Sequence, residues 1–130
     1  MRWQRLNANI LLITDADETH RQLLLESAGY SVQRVGTPSA EKHLHVGNYQ
    51  LILLSSDDGI GSTLELCVRL KAIAPEARVA VIAQRSEYVP ASPDIDIVIR
   101  EQHSPGRFLA AVKKLVEAPR AQTFSAADGE

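Results

Sequence analysis

The sequence has 130 residues, 45% of them hydrophobic and 23% charged, with a formal net charge of -2. That length suits one domain with a full core. The charge excludes a global attraction to nucleic acid or to an anionic membrane, and no apolar run is long enough to span a bilayer. Cys67 is the only cysteine, which excludes an internal disulfide and points to a cytoplasmic setting.

In chain order, residues 1–8 read as an N-terminal extension. It carries Arg2, Trp3 and Arg5 and leads into a strand rather than forming a signal peptide. Residues 9–14 are a short apolar run, the first strand. Asp17 is placed to cap a first helix, with Leu23, Leu24, Leu25 and Ala28 as its apolar side and Gly29 as its C-cap. Residues 30–35 alternate and suit a half-exposed second strand near a sheet edge. Thr37 and Pro38 open a short second helix that ends at Gly47.

Tyr49 and Leu51 to Leu54 are apolar on both faces, which predicts a third strand in the middle of a parallel sheet under helices. It ends in an acidic corner of Ser55, Ser56, Asp57, Asp58 and Gly59. Ser62 and Glu65 have capping-box spacing at the head of a third helix, whose buried stripe is Leu66, Leu70 and Ile73 with Cys67 alongside. Residues 78–83 form the fourth strand. Residues 84–94 hold Pro90 and Pro93 without apolar period and predict no regular helix. Residues 95–99 are the fifth strand. Ser104 and Pro105 cap a last helix with Phe108, Ala111, Val112 and Leu115 on its inner side. Residues 118–130 are small and polar, a disordered tail or linker.

This alternation is a doubly wound α/β domain over residues 9–117. It predicts three layers, with five parallel strands in order 2-1-3-4-5 and the helix between strands four and five shortened or missing. Right-handed crossovers place the first and third strands side by side, with Asp15 facing Ser55. Leu12, Ile52 or Leu53, Val81 and Val98 are expected in the core.

The run from Ile10 to Asp15, the passage from Ala28 to Val32, the strand from Tyr49 to Leu54 and the piece from Ile97 to Arg100 together resemble a bacterial response-regulator receiver domain. The resemblance implies a flavodoxin-like fold. It also implies a phosphoacceptor aspartate after the third strand, an acidic pair that holds Mg²⁺, a switch hydroxyl and a phosphate-binding lysine. Those chemical parts are altered here. Thr14 and Asp15 fall on the acidic pair, Ser55 on the acceptor, Ala83 on the hydroxyl and Arg100 on the lysine. Glu101 stands where the family has proline, and Ile97 where an aromatic switch residue often sits. A serine cannot form the acyl phosphate, so the chain resembles a degenerate, pseudo-receiver form.

The expectation is a signalling domain of a two-component or related system. It works through protein contacts, without aspartyl phosphorylation, and is not an enzyme. The alternative is a phosphoacceptor using Asp57 or Asp58 in an altered pocket. A nucleotide-binding enzyme finds no glycine-rich phosphate loop to support it. No cofactor is expected, and Mg²⁺ at Asp15 and Asp57 is the one metal candidate. The simpler reading of those carboxylates is a helix cap and a solvated turn. Ser55 has no histidine beside it to make it a nucleophile. His43 and His45 are two apart on a helix and cannot share one ion, and His20 and His103 are isolated. Cys67 reads as a buried thiol. Arg107, Lys113 and Lys114 give the last helix a basic side, a candidate surface for a protein partner or for self-association. The simpler reading is a solvated face that complements the helix dipole. Nucleic acid and membrane contacts are not expected.

Overall fold

The computed structural model describes residues 8–16, 19–56, 59–83, 88–100 and 104–117. The expected extension up to residue 7, the Asp17 cap, Asp57, Asp58, Glu101, His103 and the tail from residue 118 lie outside the described residues.

Five strands, β1 (Asn9–Ile13), β2 (Ser31–Val35), β3 (Leu51–Ser55), β4 (Arg78–Ala83) and β5 (Ile97–Arg100), form one parallel sheet in order β2-β1-β3-β4-β5. The helices are α1 (Thr19–Ser27), α2 (Ala40–Val46), α3 (Ile60–Ile73) and α4 (Pro105–Glu117). Side chains alternate across the pleat, so each central strand feeds two cores. Leu11, Ile13, Ile52, Leu54, Val79 and Val81 pack with Ala40 and Leu44 of α2 and Leu66, Cys67 and Leu70 of α3. Ile10, Leu12, Leu51, Leu53, Ala80 and Ile82 pack with Leu25 of α1 and Phe108, Val112 and Leu115 of α4. Burial on both faces explains why β1, β3 and β4 read as continuous apolar runs.

The local signals hold at several joints. Gly29 has φ +102, the left-handed conformation of a helix C-cap. Ser104 caps α4, its Oγ accepting the Arg107 N–H at 3.3 Å. Residues 88–96 contain no helix. Cys67 is buried.

Four expectations are corrected. In α1 only Leu25 is fully buried, Leu24 is half-buried and Leu23 is 59% exposed, while Ala28 lies exposed beyond the helix. Consecutive helical residues point about 100° apart, so three leucines in a row cannot share one face. Ser62 and Glu65 do not cap α3. The chain turns into the helix at Gly59, whose φ is +96, and Thr63 lies inside it, donating from Oγ1 to Gly59 O at 2.9 Å. Thr37 does not cap the second helix either. A 3-10 turn, Thr37–Ser39, precedes α2, and its hydroxyl bonds elsewhere. Finally β5 starts at Ile97, and its buried residue is Ile99 rather than Val98. Val98 pairs with Val81 but joins neither core cluster of the described residues, and it stays half-buried.

Candidate functional site

In a doubly wound sheet the chemistry collects just past the carboxyl ends of the central strands. Four of the expected positions lie at that edge. Thr14 directly follows β1, Ser55 ends β3, Ala83 ends β4 and Arg100 ends β5. Ile13 pairs with Leu54, Ser55 with Ile82, and Ala83 with Arg100, so the sheet holds these ends side by side.

Thr14 is 5% exposed. Its N–H donates to Val35 O at 2.9 Å, and its Oγ1 accepts the Ala16 N–H at 3.1 Å. It shapes the turn out of β1. Ser55 is half-buried, Ala83 is buried with no hydroxyl to offer, and Arg100 is half-buried.

Asp15 does not face Ser55 as expected. Its carboxylate lies toward β2, where Oδ1 accepts the Thr37 N–H at 2.9 Å and Oδ2 accepts the Thr37 hydroxyl at 2.7 Å. The β2–α2 corner offers two donors in one place, and a carboxylate takes them with two oxygens. Gly36 makes room, because a Cβ there would sit 3.0 Å from Asp15 Oδ1.

Ser56, a neighbour of Ser55 with no role expected of it, is 2% exposed. Its N–H and its Oγ both donate to Ile82 O, at 3.1 and 3.2 Å. It fastens the end of β3 to β4. Only the burial pattern could have distinguished the two serines.

The remaining candidates scatter. His43 Nδ1 lies 3.0 Å from Ser39 O, and His20 and His45 are exposed. Among the described residues no three His, Cys, Asp or Glu side chains group to hold a metal ion. Ile97 packs against the α1–α4 core. Arg107, Lys113 and Lys114 are exposed on α4. Burial pushes the Cys67 thiol up to about 11, with the Asp94 carboxylate adding to the rise, so it is a poor nucleophile near neutrality.

A cleft of about 490 Å³ lies at the opposite edge, lined by Tyr49, Gln50, Glu76 and Arg78 among others. Those residues stand at or before the amino ends of β3 and β4, remote from the strand ends described above. Size alone does not make it the site, since the topology concentrates chemistry at the other edge.

No helix of the described residues is long and apolar enough to cross a membrane. No protein-family model matches this sequence, and no curated protein sequence matches it. Solved structures do match. A response regulator from Thermotoga maritima superposes with a TM-score of 0.71 at 18% identity, covering 87% of this chain and 100% of that one. A CheY-like response regulator receiver domain from Methylobacillus flagellatus gives 0.69 at 13% identity, covering 84% and 98%. A chain from the complex of histidine kinase ThkA with response regulator protein TrrA gives 0.66 at 23% identity, covering 83% and 97%. At these identities the likeness is one of fold: the chain has the receiver-domain architecture.

Proposed function

We propose that this chain is a receiver-like signalling domain of a two-component or related regulatory system, acting through protein contacts without aspartyl phosphorylation. The observation that carries the reading is the set of residues at the strand ends. Thr14 brings no carboxylate, Ser55 no acyl-phosphate acceptor and Ala83 no hydroxyl, while Asp15 is engaged by Thr37. Phosphoryl transfer to a receiver needs a carboxylate nucleophile, and charge stabilisation cannot supply the missing oxygen. Arg100 keeps a positive charge at the edge but in a planar fork, not as the point charge of a lysine.

The domain on this reading is not an enzyme and works in the cytoplasm. Its partner is a protein or a second copy of itself. Support for a protein partner comes from the fold likeness to a chain solved with a histidine kinase. Arg107, Lys113 and Lys114 give α4 an exposed basic side suited to an acidic surface. Nucleic acid is not a partner of this domain at its net charge of -2.

The test is incubation with acetyl phosphate and Mg²⁺, followed by intact mass under mildly acidic conditions. An unchanged mass, with amide spectra also unchanged by beryllofluoride, is expected. A base-labile gain of one phosphoryl group overturns the reading. Mapping of that group to Asp57 or Asp58 would establish the altered-pocket phosphoacceptor instead.

A further inference from the structure

We infer that Asp15 and Thr37 form a latch that holds α2 on the sheet, set by the fold itself and independent of any ion or phosphate. The inference goes beyond the proposed function and does not depend on it.

The β2–α2 corner lacks a local cap. Gly36 occupies the N-cap position of the 3-10 turn and has no side chain to offer, and Ser39, before α2, makes no side-chain cap bond. The first N–H groups of a helical segment need acceptors. Asp15 supplies one from 22 residues away, taking both the N–H and the hydroxyl of Thr37. The Thr14 N–H on Val35 O fixes the same corner from the residue before.

The corner matters because α2 has little of its own to hold it. It spans seven residues, of which Ala40 and Leu44 are buried. Two turns of helix are not stable alone in water. Its described polar tie to the neighbouring helix is Glu41 Oε2 on Arg69 Nε of α3 at 2.6 Å, between half-exposed side chains. Exposed pairs of that kind stabilise little. The Asp15 bonds hold the same N-terminal end from the side of the sheet, through the turn that leads into α2. A carboxylate that shares a charge-assisted bond with a backbone amide and a hydroxyl is committed to the corner.

The experiment reads amide exchange and amide shifts in the whole chain. Asp15→Ala should speed exchange over residues 40–44 about five- to tenfold, the equivalent of a lost helix cap, and Thr37→Val, which keeps the backbone N–H bond to Asp15, should speed it less. The double variant should be no worse than Asp15→Ala alone, because that single change already removes both bonds. Mg²⁺ up to about 10 mM, above the weak end of calcium sites in proteins, should leave the Asp15, Gly36 and Thr37 signals of the native chain in place. Additive effects, or no effect on α2, overturn the latch. So does a saturable Mg²⁺ shift at these three residues that Asp15→Ala removes, since the carboxylate would then be an ion ligand. If Asp15→Ala does not fold, Asp15→Asn serves. It keeps an acceptor for the Thr37 N–H and should give a smaller acceleration over the same residues, and acceleration elsewhere instead would count against the latch. A phosphoryl gain from acetyl phosphate would sink the proposed function and leave this result untouched.

Discussion

Lys71, near the end of α3, places its Nζ 3.4 Å from Asp96 Oδ2 at the foot of β5. The same carboxylate oxygen accepts the Val79 N–H at 2.7 Å, and Lys71 Nζ donates to Ala77 O at 2.9 Å. Both side chains are largely buried, at 19% and 16% exposed. One carboxylate thus joins α3, β4 and β5 near the amino ends of the two strands.

Asp96→Ala should therefore destabilise the domain by about 1–3 kcal/mol, because it strips the buried Val79 N–H of its side-chain acceptor. Asp96→Asn keeps an acceptor and should lose less. Urea unfolding of the two variants checks the order. Equal losses would mean that the charge pair with Lys71, and not the bond to Val79, holds the corner.

Two leucines offer a sharper contrast. Leu53 is fully buried between β1 and β4, and Leu23 is 59% exposed on α1. Leu53→Ala should cost about 2–5 kcal/mol, from lost transfer energy and the cavity left behind. Leu23→Ala should stay within about 0.5 kcal/mol. Thermal or urea denaturation measures both, and a large loss at Leu23 would show that its face is covered in solution.

Cys67 predicts an alkaline limit. Its thiol titrates ordinarily near 9.0 and is raised to about 11 here. The folded chain thus keeps the proton that the unfolded chain releases, so this contribution to stability is whole below pH 9 and is lost as pH rises toward 11. The loss is roughly 3 kcal/mol, at about 1.4 kcal/mol per pKa unit. Tyr30, raised by burial and by Glu117, acts in the same direction at higher pH. Cys67→Ala should be less stable at pH 7 yet show a flatter decline from pH 9 to 11. A parallel decline would contradict this account.

Hydrogen exchange should separate the crossover from the sheet. Residues 88–94 carry no helix and should exchange faster than β4. Asp96 should be protected, since its N–H donates to Val79 O at 2.8 Å. Uniform protection from 88 to 96 would indicate order that this backbone does not explain.

The sheet was legible along the chain. Buried parallel strands must be apolar on both faces, so Leu51 to Leu54 and Val79 to Ala83 announced themselves, and glycine and proline marked the joints at Gly29, Gly47 and Pro105. The sequence also placed Thr14, Ser55, Ala83 and Arg100 at strand ends, because strand ends follow from strand runs. Tertiary structure decided what polar groups do there. Asp15 reads locally as a carboxylate at a strand end, and only the approach of Gly36 and Thr37 commits it to the α2 corner. Ser55 and Ser56 are alike in sequence, and only the register with Ile82 buries the second. Val98 reads as core, yet it stays half-buried outside both clusters of the described residues. Hydrophobic period is written along the chain, whereas a hydrogen bond between residues 22 apart, or 17 apart as for Val79 and Asp96, exists only once the sheet has brought its ends together.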